Sequence, residues 1–202
     1  MILSDITIKN MIENGELIEN PIDIEKCIQP ASYDIHIGNQ FVKPVYNRKN
    51  FPKKTSPDTI FVKIDKSECI DLKMEVKYDK LETFFEDDGS EFVIVPPKSF
   101  ILAVTKEIIK LPNNISAFVE GRSSIGRSGL FIQNAGWIDS GFRGTITLEL
   151  FNASEYSMKL YSDMRIGQII FCKNDEDSIN PYRGKYQDQI NVTGSEIHKD
   201  FL

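Results

Sequence analysis

The 202-residue chain holds only two histidines, His36 and His198, and three cysteines, Cys27, Cys69 and Cys172. That scarcity excludes much chemistry. The cysteines lie far apart with no CxxC pair, so a disulfide framework is not expected and a reducing, cytoplasmic setting fits better. Zinc sites draw on clustered Cys and His, and nothing here clusters. Ser-His-Asp catalysis would have to rest on one of two lone histidines, and such a residue is more often satisfied in the core or at the surface. No run approaches the roughly 18 consecutive apolar residues of a membrane span. The opening MILSDITIKNMIENGEL carries acids where a secretion signal needs basic residues and then an apolar stretch, so a soluble protein without a membrane partner is expected. A basic surplus is also missing. With 24 Lys and Arg against 30 Asp and Glu, the formal charge of −6 argues against non-specific nucleic-acid binding.

What is present suffices for a core: 41% hydrophobic and 27% charged residues over a length that suits one domain. A short N-terminal helix is expected, capped by Ser4 or Asp5, with Ile8, Met11 and Ile12 at helical spacing and Gly15 as its stop. From Gln29 onward the texture becomes short alternating segments between Gly, Pro, Asn and Asp. Expected strands are Tyr33–Ile37, Phe61–Ile64, Phe92–Val95, Phe100–Thr105, Ser116–Val119, Leu130–Gln133, Thr145–Phe151, Ser157–Leu160 and Ile166–Cys172. Many short strands without a βαβ rhythm imply an all-β sandwich or barrel. The basic stretch 43–60 and the acidic stretch 79–91 read as solvated loops or hairpin tips.

Chemistry concentrates between Glu120 and Asn152. Arg122, Ser123, Ser124, Ile125, Gly126 and Arg127 combine two guanidiniums, two hydroxyls and a flexible glycine, a set that can wrap a polyanion. It is not a Walker loop, since GxxxxGK[ST] is absent, and a polar turn at a strand end would also explain it. In Thr145–Phe151, period-two alternation puts Thr145, Thr147, Glu149 and Phe151 on one face and Ile146, Leu148 and Leu150 on the other. Glu149 is then either a solvent-facing strand residue or, if that face lines a pocket, a general acid/base on a rigid element. Asp139, ahead of Ser-Gly, is equally open between a turn residue and a pocket acid.

Six segments resemble, in order, the dCTP deaminase branch of the trimeric dUTPase superfamily, and most of all its bifunctional members that turn dCTP directly into dUMP. They are Gln29–Asp34 with Gly38, Glu120–Arg127, Asn134–Asp139, Gly144–Asn152, Met164–Gln168 and Gly184–Gln189. The resemblance covers roughly residues 1–42 and 92–199. It implies a single all-β domain over 1–202, a distorted β-barrel or jelly roll, whose C-terminal segment (about 181–202) closes over the nucleotide. It implies a homotrimer with sites between subunits, Mg²⁺ carried on the triphosphate, no zinc, and dTTP as feedback inhibitor. By position, Glu149 matches the deaminating carboxylate, and Ser123 and Arg127 match residues that position water and nucleotide beside it. Arg122, Ser124, Ile125 and Gly126 complete the phosphate-binding loop. Asp139 matches the acid that contacts the sugar and orients water toward the α-phosphorus. Thr147 and Leu148 flank Glu149 where the family's backbone meets the base, and Gln168, Tyr182, Lys185 and Gln189 match residues that close over the nucleotide. Gly136-Trp137 matches the pair found in bifunctional members, where deaminase-only members carry His-Arg. The chain departs from the commoner pattern at Phe131-Ile132-Gln133-Asn134, one residue short. The alternatives are a deaminase that stops at dUTP and a nucleotide-sensing regulatory module of the same fold.

Overall fold

The structure, a computed structural model, describes residues 1–45, 70–132 and 136–202. Along the chain come α1 (Asp5–Glu13), β1 (Leu17–Ile18), α2 (Ile24–Cys27), β2 (Ile28–Gln29) and the long β3 (Ser32–Val45). Then follow β4 (Lys77–Lys80), β5 (Thr83–Phe85), β6 (Glu91–Val95), β7 (Phe100–Thr105), β8 (Ile109–Lys110) and β9 (Ile115–Gly121). The remainder is α3 (Ser123–Gly126), β10 (Leu130–Ile132), β11 (Trp137–Ile138), β12 (Arg143–Gly144), β13 (Thr147–Asn152), β14 (Met158–Tyr161), β15 (Arg165–Lys173) and a final 3-10 turn, Ile197–Phe201.

The main sheet runs β10-β13-β7-β3-β15-β9-β11, with β2 and β4 added along β3, and curls into a half-barrel. Two three-stranded sheets, β1-β8-β12 and β14-β6-β5, complete the strands among the described residues. The all-β expectation with a short N-terminal helix is therefore met. Tyr33, Ile35 and Ile37 of β3 join Ile169 and Phe171 of β15 and Leu148 and Leu150 of β13 in one core, each fully buried. Ile8 and Ile12 of α1 close it from outside. That helix ends as its sequence foretells. Gly15 takes φ +78, its N–H donates to Ile12 O at 2.9 Å, and Glu16 N donates to Met11 O at 2.9 Å, a Schellman stop. Ser4 occupies the N-cap position without a side-chain cap bond.

Three expectations shift. β3 does not end at Gly38 but bulges there. Its register slips between Ile37 and Phe41, and a Cβ on Gly38 would sit 3.1 Å from the Val104 side chain and 3.3 Å from the Val104 carbonyl. The strand thereby passes from β15 to β7 and on to β4. Second, the 79–91 stretch is a hairpin tip, one of its two expected forms, closed by Glu86 N donating to Ser90 O at 3.0 Å, but it also carries a strand not expected, β5. Third, β13 starts at Thr147 instead of Thr145. Thr105 exchanges bonds with Ile146 (Ile146 N to Thr105 Oγ1 2.8 Å, Thr105 N to Ile146 O 2.9 Å), and the phase reverses, burying Thr145 and leaving Ile146 half-buried. The expected strand Phe61–Ile64, Cys69, Gln133 and most of the 43–60 stretch lie outside the described residues.

His36 is a satisfied core residue. Its Nδ1 meets Glu107 Oε1 at 2.6 Å, its backbone N–H donates to Glu107 Oε2 at 3.0 Å, and Glu107 has no exposed surface. Cys27 Sγ lies 3.9 Å from His36 Nε2, and burial pushes its thiol pKa up, away from the thiolate. Among the described residues, no helix is long and apolar enough to cross a membrane.

Candidate active site

From Thr147 on, β13 alternates core and cleft, so Thr147 and Glu149 face a cleft of about 690 Å³ while Leu148 and Leu150 fill the core. Glu149 stands opposite Leu102 of β7, and Phe100 lines the same wall. This half-buried, largely apolar setting pushes the Glu149 carboxyl above the usual carboxylate range. Trp137 and Ile138 of β11, with Asp139 just beyond, line the same cleft. There the Trp137 indole N–H donates to Asp139 Oδ1 at 2.6 Å, and the ring packs edge-to-face on Phe118 with centroids 4.8 Å apart. One carboxylate oxygen of Asp139 is thus held by a neighbour two residues back in the chain. Gly136 admits no side chain: a Cβ would fall 2.5 Å from the Val119 carbonyl, and Val119 N donates to Gly136 O at 2.8 Å.

The C-terminal segment lies along this cleft on its own chain. Tyr182 N donates to Ser140 O at 2.8 Å, Thr145 N to Gln189 O at 2.9 Å, and Thr193 N to Thr147 Oγ1 at 3.2 Å. Gly144 lets it approach, since a Cβ there would meet Gln189 O at 2.7 Å. Arg143 fastens the segment by pairing with Asp188 at 2.9 Å while its fork holds both oxygens of Glu19 at 2.7 Å each. Tyr182, Tyr186 and Gln189 line the cleft. Gln189 Nε2 donates to Thr145 O at 2.7 Å, and its Oε1 is buried with no partner among the described residues. Lys185 does not line the cleft; its ammonium pairs with Asp200 Oδ1 at 2.6 Å in the final turn.

The Arg- and Ser-rich loop forms a separate feature. It turns through α3, with Ile125 N and Gly126 N both bonded to Arg122 O (2.9 and 3.0 Å), and leaves Ser123, Ser124 and Arg127 exposed. Arg122, Ser123, Ile125 and Gly126 border a second cleft of about 340 Å³. Gln168 lies in this region, on β15 where it pairs with β3 and β9. Ser32 Oγ donates to Gln168 Oε1 at 2.9 Å. So one cleft unites Glu149, Asp139, Thr147, Gly136, Trp137, Tyr182 and Gln189. Within one chain Ser123 and Arg127 do not join Glu149, and Leu148, its side chain in the core, offers only backbone. Three residues that sequence reasoning left without a role stand out: Asp34 and Arg165 beside the loop, and Arg143 under the C-terminal segment.

The fold is a β-rich half-barrel with two carboxylates in one cleft and an Arg/Ser loop beside another. A family model described as dCTP deaminase-like matches residues 2–174, and the chain belongs to that family. It is 46% identical over 200 residues to a protein of Persephonella marina named "dCTP deaminase, dUMP-forming", covering 99% of each chain. Its identity to proteins of the same name is 45% in a Sulfurihydrogenibium species (99% of each chain) and 42% in Aquifex aeolicus (99% of this chain, 97% of that one). In fold, it is similar to the crystal structure of 2'-deoxycytidine 5'-triphosphate deaminase from Agrobacterium tumefaciens, with a TM-score of 0.56 at 22% identity. That match covers 84% of this chain and 47% of the other.

Proposed function

We propose that the chain hydrolyses dCTP to dUMP, ammonia and pyrophosphate in two steps at one kind of site. The observation that carries this is the pairing, in one cleft, of a half-buried Glu149 with an Asp139 held by Trp137. Glu149, with its raised proton affinity, takes a proton from water as hydroxide adds to C4 of cytosine and hands it to N3; it then takes the proton of the new C4 hydroxyl and passes it to the amino group, which leaves as ammonia while the C4 carbonyl forms. A carboxyl tuned toward neutrality can serve as base and then acid. Asp139 orients a second water toward the α-phosphorus, opposite the leaving pyrophosphate. Mg²⁺ enters as part of the substrate on the phosphate oxygens, where it neutralises charge. Thr147 and the backbone at Leu148 meet the base; Tyr182, Lys185 and Gln189 act from a C-terminal segment that shuts over the nucleotide within a single dUTPase-like domain. Lys185 must leave Asp200 to do so. dTTP, sharing sugar and triphosphate with the substrate, is the ligand expected to compete for the cleft, in the cytoplasm where deoxynucleotides are made. Incubation of the purified protein with dCTP and Mg²⁺, with dUTP, dUMP and pyrophosphate separated, tests the reading. Stoichiometric dUMP and pyrophosphate are expected. dUTP alone would reduce the enzyme to a deaminase, and no ammonia would refute it.

The two clefts of one chain each hold half of what the reaction needs, which supports a homotrimer in which the loop with Arg122, Ser123, Ser124, Ile125, Gly126 and Arg127, together with Gln168, completes a neighbour's Glu149 cleft. Glu149→Gln chains and Arg127→Ala chains, each inactive alone, should regain activity when unfolded together and refolded at equal amounts. Each site draws its halves from two chains, so roughly a quarter of the sites become intact. Mixed refolding that stays inactive would place the whole site in one chain.

A further inference from the structure

Asp34 lies in β3 with only 3% of its surface exposed. Its Oδ2 is shared by two guanidiniums: Arg165 Nη1 donates to it at 3.1 Å, and Arg122 Nη2 lies 3.4 Å away. The same Arg122 donates Nη1 to the Arg165 carbonyl at 3.3 Å, and Arg165 Nη1 also reaches the Lys26 carbonyl at 3.1 Å. A buried carboxylate persists only when its charge is paired and hydrogen-bonded, and here one negative charge sits between two positive ones. The cluster keeps a net positive charge at the root of the Arg/Ser loop. It also ties down a long side chain that would otherwise sample many rotamers. The Arg122 side chain is 30% exposed and borders the smaller cleft, and a guanidinium has five N–H donors, so the fork keeps donors for an anion after meeting Asp34 and the Arg165 carbonyl. Arg127, on the same loop, is exposed and makes no ion pair among the described residues.

We propose that Asp34 is a positioning residue of the phosphate loop: through the bridge it shares with Arg165, it holds the Arg122 guanidinium in the orientation that meets the substrate's phosphates. This rests on the deoxynucleoside-triphosphate reading of that loop. Asp34 acts through Arg122 and leaves the chemistry at C4 alone. A preformed fork gives up less freedom on binding than a loose one, so the benefit appears in affinity.

The test is the full-length protein with Asp34→Asn, assayed for KM and kcat on dCTP with Mg²⁺. The amide keeps the shape and loses the charge that two arginines share. KM is expected to rise about tenfold with kcat within about twofold. In an Arg122→Ala background, Asp34→Asn should change KM no further, because the side chain it acts through is gone. Arg165→Gln, on a side chain 39% exposed, carries the same test if Asp34→Asn does not fold, and should raise KM in the same direction. An unchanged KM in a folded variant, or Asp34 and Arg122 effects that simply add, would overturn the proposal. Calorimetry with tripolyphosphate repeats the comparison without turnover. A chain that fails on dCTP yet loses tripolyphosphate affinity on Asp34→Asn sinks the activity and keeps the positioning role; equal tripolyphosphate affinity sinks the role.

Discussion

Glu149→Gln is expected to abolish ammonia release from dCTP while nucleotide still binds, a fall of about 10²–10⁴-fold or more in kcat, the usual worth of a placed general base. The amide keeps the side chain's size in the cleft and cannot take the proton from water. Wild-type turnover should also lose its acid limb at a higher pH than an ordinary glutamate would set, because burial holds the Glu149 carboxyl above its usual range and the base must be ionised. The sign for stability is the reverse. A carboxyl whose folded value is raised favours the fold fully below its unfolded value, and that contribution is lost as pH rises through the folded value. Above its folded value the ionised Glu149 therefore opposes folding. The Glu149→Gln chain should melt no lower than wild type there, and melting curves at pH 5 and 7.5 should differ less than wild type's. Near wild-type ammonia release by the variant would remove Glu149 from the mechanism.

Replacing Gly136-Trp137 with His-Arg should change the product from dUMP to dUTP while deamination stays within about tenfold. Two contacts give the reason. The Trp137 N–H is the bond that fixes Asp139, and an arginine in its place brings a second cation beside the phosphates instead. Gly136 sits so close to the Val119 carbonyl that any side chain forces β11 away from β9, carrying Asp139 with it. In-line attack on phosphorus depends on a water aligned to a fraction of an ångström, whereas the proposed C4 chemistry is assigned to Glu149 on β13. Trp137→Phe isolates the hydrogen bond, since the ring can still pack on Phe118. It should slow pyrophosphate release about tenfold with deamination unchanged, a loss in the range of one hydrogen bond to a charged group. If the double replacement still makes dUMP at the wild-type rate, Asp139's activity does not depend on this pair.

Much of this was legible in the residues themselves. Strand β7 matches its expected bounds because Phe100–Thr105 is a tight apolar run between turn residues, and α1 ends where Gly15 supplies the left-handed turn. Gly38 misled, because a glycine between strands signals either a stop or a bulge, and only the nearness of Val104 decides. Asp34 and His36 alternate with Tyr33, Ile35 and Ile37, so periodicity alone assigns them to solvent. Both are buried because β3 is covered on both faces, and their partners Arg165 and Glu107 lie far along the chain. The Trp137–Asp139 pair was within reach of sequence reasoning, as residues two apart on a strand share a face. What no local pattern carries is which elements border each cleft. The Arg/Ser loop and Glu149 fall near each other in sequence, yet β9 and β10 direct them to different clefts.

That separation bears on inheritance. If each reaction chamber borrows its carboxylates from one chain and its phosphate loop from the next, every chain serves two chambers and owns none. A chain with a damaged Glu149 then silences one chamber of a trimer, whereas a chain damaged at both Glu149 and Arg122 silences two. Loss of function would then come in grades of dominance, set by whether an allele injures one of its two clefts or both. Two recessive injuries in different clefts can hide each other in a cell that makes both chains.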